Sequence, residues 1–411
     1  MSDVTAPPES VGISSERLGR IRPAMQRWID RGTIAGASMM LARRGKIVYT
    51  EQVGRMSKES DEALRSDAIF RIYSMTKPIV CTALMTLYEE GRCQLITPLA
   101  TFIPAFANVK VLQQDKEVAP QRPITIGDLM THLGGFTYDF LIDSPVGELY
   151  RQHALMSDAS RTLEQFVAEL ARLPLAYHPG SKWHYSVSID VAAHVIEIIA
   201  NQPLRQFLRE RIFSPLGMVD TDFCVPPEKR HRLAAMYGVG DLGARGMTVL
   251  QMFFNWQQGI LQRLDPQESY PVDQPETFAR GGHGLFSTTQ DYMRFALMLA
   301  NGGELDGVRI LGRKTLELMH ANHIPAALLP WEIAGFAYPG YGFGLGSRVL
   351  LDVGLSGMPG TAGEFGWAGA ATTYYWVDPA ESFVGVFMTQ YQGIDEPQRD
   401  FRVLAYQAIV E

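Results

Sequence analysis

Apolar residues between positions 74 and 90 recur at near-helical spacing. Ile79, Val80, Leu84, Met85 and Leu87 line one side, and Gly91 stands where a helix would end. Residues 14–31 read as an amphipathic helix opened by the capping signal Ser14-Ser15-Glu16. Two strand-like runs follow at 36–45 and 46–54, joined by a tight turn near Arg44-Gly45. From about 100 to 275 the pattern turns helical, loop-rich and proline-marked, with helices predicted at 126–132, 161–173, 187–201 and 203–213. Strand character returns at 341–351, 363–379 and 382–390, and residues 396–410 close the chain as a helix. Strands at both ends around a helical middle predict an α+β fold. In it, residues 1–100 and 276–411 build an antiparallel sheet flanked by helices, and 101–275 form a mostly helical inserted domain. The active site is expected in the cleft between them.

Composition narrows the function classes. The 411 residues are 46% hydrophobic and 20% charged, ordinary for a globular chain, with a net charge of −7. That balance gives no electrostatic case for nucleic acid or an anionic membrane. Cys81, Cys93 and Cys224 are odd in number and widely spaced, which indicates neither a disulfide framework nor a zinc site. The first residues lack a basic stretch followed by an apolar run, and no apolar segment is long enough to span a bilayer. A cytoplasmic location is the expectation.

Ser74-Met75-Thr76-Lys77 carries the first candidate chemistry. Positions three apart share a helix face, so the hydroxyl and the amine can meet. At a helix N-terminus, free N–H groups and the positive dipole end would favour a developing anion. Pro78 is tolerated there because it falls in the first turn. The same four residues also suit a plain helix cap, so context must decide. Tyr185 stands just before a predicted helix in "KWHYSVSID", and "FGWAGAATTYYW" sets a glycine turn against a predicted strand. "LMTHLGGFTY" and "GGHGLFSTTQDYMRFALML" mark two more loop-to-helix junctions.

Together these motifs resemble the serine β-lactamase and penicillin-binding-protein superfamily, and within it the class C β-lactamase-like (family VIII) carboxylesterases. The resemblance rests on Ser74-Met75-Thr76-Lys77, Tyr185-Ser186-Val187 and Trp367-Ala368-Gly369, in the expected order from about residue 10 to residue 400. It implies that Ser74 is the nucleophile and that Lys77 helps deprotonate it. Tyr185 would pass the proton to the leaving group and help activate the deacylating water. The backbone N–H groups of Ser74 and Ala370 would form the oxyanion hole, and Trp367, Ala368 and Gly369 would contact substrate. It implies no metal and no organic cofactor, and a small-molecule ester as the partner. Two positions depart from the pattern of true β-lactamases. Val187 replaces an asparagine, and Trp367 replaces the lysine of Lys-Thr-Gly, whose cation engages the substrate carboxylate. Both departures favour esters over β-lactams. Arg280, just before Gly281-Gly282, is the candidate substitute cation.

Rival readings remain. β-Lactam or amide hydrolysis, or acyl transfer, would use the same residues, and a non-catalytic binding protein would keep only the fold. A Ser-His-Asp hydrolase would show Gly-x-Ser-x-Gly, and "GLSGMPG" at 354–360 places Met358 at the last glycine. Without that elbow, His132, His184 and His283 read as supporting residues. His320 and His323 lack the glutamate of a metalloprotease helix, and Cys81 reads as a buried thiol. The apolar stretches 247–261 and 324–344 suit either lobe core, a subunit contact or an apolar wall for the ester.

Overall fold

The computed structural model describes residues 5–411. Strand β1 (Gly36–Arg43) is buried along its whole length, because it is an inner strand of a seven-stranded sheet whose two faces are both covered. The others are β2 (Lys46–Gly54), β3 (Tyr341–Phe343), β4 (Arg348–Leu350), β5 (Phe365–Gly369), β6 (Thr373–Asp378) and β7 (Phe383–Met388). Their order is β3-β4-β5-β6-β7-β1-β2, antiparallel throughout. Arg44 and Gly45 connect β1 to β2 with φ of 51° and 74°. Positive φ at both central positions gives the turn whose twist matches the strands it joins. Alternation along β1 divides its side chains between two cores: Met39 and Leu41 enter one, Met40 and Ala42 the other.

Helices cover both faces. They are α1 (Ile21–Asp30), α2 (Thr76–Glu89), α4 (Thr289–Ala300) and α5 (Pro397–Tyr406), while α3 (Ser188–Ala200) belongs to the helical middle and packs on α2. α1 and α5 bury Ile21, Met25, Phe401 and Ala405 against Met39 and Leu41, and Trp28 Nε1 donates to Asp400 Oδ2 at 2.9 Å between them. On the other face α2 and α4 share a core with Met40 and Ala42, and this core continues without a break into Phe166, Val191 and Leu204 of the helical middle. The sheet is thus the middle layer of the α+β fold. Among the described residues no helix is long and apolar enough to cross a membrane.

Several predicted boundaries move. The 14–31 helix breaks at Gly19-Arg20: a four-residue turn of helix capped by Ser14 precedes α1. The 203–213 helix is α-helical only over Leu204–Leu208 and widens to a π-turn at Arg209–Phe213. Pro215 follows inside the continuing helix, and its missing N–H and bulky ring account for the wider turn. The 341–351 run is two strands, β3 and β4, separated by a turn in which Gly344 N–H donates to Ser347 O at 2.8 Å. Helices at Pro145–Gln152, Val249–Gln257 and Arg313–Met319 complete the picture.

Candidate active site

Ser74 lies in a single 3-10 turn, Tyr73–Met75, directly ahead of α2. The turn opens with Tyr73 at φ 43°, in the left-handed region that a bulky residue adopts only when its surroundings impose it. Three bonds do so. Ile72 N–H donates to Leu285 O at 3.1 Å, Met75 N–H donates to Ile72 O at 3.0 Å, and Tyr292 OH donates to Met75 O at 2.9 Å. Pro78, in the first turn of α2, removes an N–H that would have no helical partner.

Lys77 and Tyr185 both reach the Ser74 hydroxyl. Lys77 Nζ is 3.1 Å from Ser74 Oγ, and Tyr185 OH donates to the same oxygen at 2.6 Å. Lys77 is fully buried, and it also donates to Gly282 O at 2.6 Å. Its ammonium lies 4.6 Å from the centre of the Tyr185 ring, a cation–π contact that replaces some of its lost hydration. Tyr185 is fixed from both sides. His184 N–H donates to His132 O at 3.0 Å, and Val187 N–H donates to Thr137 O at 3.3 Å. The ring of Tyr185 packs on those of His132, Tyr138 and Trp367.

The end of β5 closes against the serine turn. Thr373 Oγ1 donates to Ile72 O at 3.2 Å, and a Cβ on Gly369 would stand 2.3 Å from that same carbonyl. Only glycine lets the strand come this close, and Ala370 follows immediately. Trp367, Ala368, Gly369 and Ala370 all line a cavity of about 570 Å³ that opens beside Ser74. The volume is in the usual range for a small-molecule site. Trp367 is nearly buried, wedged between Tyr185 and Phe343.

The "Beta-lactamase" family profile matches residues 20–408. The chain belongs to the β-lactamase family. It is 31% identical over 378 residues to Protein Rv1367c of Mycobacterium tuberculosis, covering 88% of this chain and 87% of that one. It is 29% identical to Esterase EstB of Burkholderia gladioli, covering 89% and 88% of the two chains. Among solved structures it resembles "EstCE1, a hydrolase with promiscuous acyltransferase activity", with TM-score 0.78 and 25% identity over 95% of this chain and 99% of that one. The chain is therefore a member of a β-lactamase-fold serine hydrolase family that includes esterases.

Within this β-lactamase fold the other predicted residues separate. Val187 is fully buried at the start of α3 and does not line the cavity. His132 and His184 are buried behind Tyr185, bonded to Ser186 and Thr137, and burial pushes the His184 imidazole down to about 4. His283 reaches the cavity wall, but burial, with the Lys77 charge adding, holds it well below the usual histidine range. His320 and His323 are tied to the Leu316 and Leu318 carbonyls. Cys81 is buried beside Gly346. Of the two apolar stretches, Ile333, Phe336, Ala337 and Tyr338 line the cavity, as does Val249.

The expectation about cations needs correction. Arg280 does not line the cleft: it is buried, donating to Thr277 O and Arg161 O at 3.1 and 2.9 Å. Arg348 and Arg402 line the cavity instead, both paired with buried Glu364, and so does the exposed Arg399, paired with Glu396. Arg348 and Arg402 sit on β4 and α5, more than fifty residues apart, and no local pattern connects them. Sequence reasoning also missed Asp190 and Tyr138. The "GGHG" junction was the visible sign of the Gly282 carbonyl that holds Lys77.

Proposed function

We propose that this β-lactamase-family chain is a serine carboxylesterase, acting on small or medium-chain esters through a Ser74 acyl-enzyme. One observation carries the reading: Ser74 Oγ lies within hydrogen-bond distance of both Lys77 Nζ and Tyr185 OH. A serine hydroxyl is a weak nucleophile until a neighbour takes its proton, and these are the two groups in reach. Ser74 Oγ attacks the ester carbonyl carbon while its proton passes into the Lys77–Tyr185 pair. The carbonyl oxygen gains the negative charge and is stabilised by the N–H groups of Ser74 and Ala370. Collapse of the tetrahedral species breaks the bond to the alcohol, which leaves with the proton from Tyr185. A water then repeats the sequence, losing its proton to the same pair and freeing Ser74 and the acid. The relatedness to an esterase from Burkholderia gladioli supports ester rather than amide hydrolysis.

Acyl transfer is the second reading. It requires only that a second alcohol replace water at the acyl-enzyme, and the similarity to EstCE1 favours it. Incubation of the protein with a fluorophosphonate, followed by intact mass and ester turnover, tests the nucleophile. Ser74→Ala should lose both labelling and turnover. Labelling of another serine, or substantial residual turnover, would sink the assignment.

A further inference from the structure

The Lys77 ammonium is buried without a carboxylate bonded to it, yet a buried carboxylate is bonded to the same glycine. Asp190, on the first turn of α3, is fully buried. Its Oδ1 accepts from Gly282 N–H at 2.9 Å, and the carbonyl of the same Gly282 accepts from Lys77 Nζ at 2.6 Å. Asp190 Oδ2 is buried and has no hydrogen-bond partner. Close packing makes this arrangement specific. A Cβ on Gly282 would stand 2.4 Å from Asp190 Oδ2 and 2.8 Å from Tyr138 OH, and one on Gly281 would stand 2.3 Å from Ile189 O. The Gly281-Gly282 segment is thus pressed onto the start of α3: a side chain at 281 would meet backbone, and one at 282 would push the Asp190 carboxylate and the Tyr138 hydroxyl aside.

We propose that Asp190 is a positioning residue for the esterase reaction, the buried counter-charge of Lys77 that also clamps Gly282, the residue whose carbonyl aims the ammonium at Ser74. The inference rests on the Ser74 acyl-enzyme reading. An isolated ammonium in a protein interior is costly, and so is an isolated carboxylate; together each offsets part of the other's lost hydration. Other groups around the pair do not supply that negative charge. Tyr138 and Tyr185 present their rings to Lys77, His132 and His283 are held neutral by burial, and Arg280 adds a second positive charge near Asp190. Burial raises Asp190 while Lys77 and Arg280 oppose that rise.

The consequence is a definite sign. Before Ser74 can attack, the Lys77–Tyr185 pair must be able to take a proton, so phosphonylation of Ser74 should rise with pH along an acid limb. A negative charge on Asp190 disfavours loss of a proton from either member of the pair. Removing it should therefore move the limb to lower pH, whichever of the two accepts the proton. The measurement is the rate of fluorophosphonate labelling of Ser74 against pH, by intact mass, in the wild type, Asp190→Asn and Gly282→Ala, with thermal melts of each. The expected result is a limb lower by about one pH unit or more in Asp190→Asn, the scale of a single neighbouring charge. Gly282→Ala, which forces Asp190 away, should move it in the same direction. A limb that stays in place in either folded variant, or moves up, overturns the proposal and leaves Asp190 as a structural anchor. If Asp190→Asn does not fold, Gly282→Ala alone decides. Failure of the underlying esterase reading would look different: Ser74 would not be labelled in the wild type at any pH.

Discussion

Lys77 and Tyr185 approach one hydroxyl from different parts of the chain. Lys77 comes from α2, and Tyr185 from the loop ahead of α3. Both stand within hydrogen-bond distance of Ser74 Oγ, at 3.1 and 2.6 Å. Each substitution, Lys77→Ala or Tyr185→Phe, is expected to lower kcat by about a hundredfold or more, the usual scale for a positioned acid or base. The double variant should fall short of the product of the two, because groups working on one proton are not additive. Ester turnover and phosphonate labelling rates for the four proteins measure this. Near-normal turnover in Tyr185→Phe would remove the phenol from the reaction.

At the scale of elements, the loop that carries Tyr138 and Phe140 into the cavity also buries a carboxylate. Burial pushes Asp139 up to about 7, against bonds from the Met156 and Phe140 backbone and the attraction of Arg151. The unfolded chain ionises this group near 4, so between about pH 4 and 7 the folded state holds the extra proton and stability falls as pH rises. Asp139→Asn should then melt higher than the wild type at pH 8, by up to about 4 kcal/mol of stability, and no higher at pH 4. A difference independent of pH would show that charge burial is not the cause. No sequence pattern marks Asp139, since its burial depends on how the loop packs. Elements set by local rules were readable: β1, β2 and their turn, α2 ending at Gly91, and α3 ending in left-handed Asn201. The Ser74–Lys77 spacing and Tyr185 were readable for the same reason, as short motifs beside element boundaries. What escaped was set by tertiary contact. The Pro145–Gln152 helix buries only Val146, Gly147 and Tyr150, too thin a stripe to read, and Arg348 and Arg402 meet only because β4 and α5 converge on Glu364.

For the whole molecule, what the layers enclose decides which substrate fits. Beside Ser74 the cavity wall is Tyr138, Tyr185 and Trp367, with Phe140, Met156, Val249 and Phe336 further along. Arg348 and Arg402 are the cavity's buried cations, and both pair with Glu364, Arg348 Nη2 at 3.2 Å from Oε1, while Arg348 Nη1 has no hydrogen-bond partner. A β-lactam brings a carboxylate that must be desolvated there, competing with Glu364 for a guanidinium. A neutral ester brings no such charge and packs against aromatic surface. Short-chain aryl esters should therefore exceed nitrocefin in kcat/KM by at least about a hundredfold, equal to roughly 2.7 kcal/mol of transition-state discrimination. Arg348→Met sharpens the test, because it removes one cation and leaves the serine site intact. Ester turnover should hold in that variant, and nitrocefin turnover should stay low. Nitrocefin hydrolysis that equals ester hydrolysis in the unmodified protein and collapses in Arg348→Met would make the buried guanidinium the partner of a substrate carboxylate, and the β-lactam reading would replace the ester one.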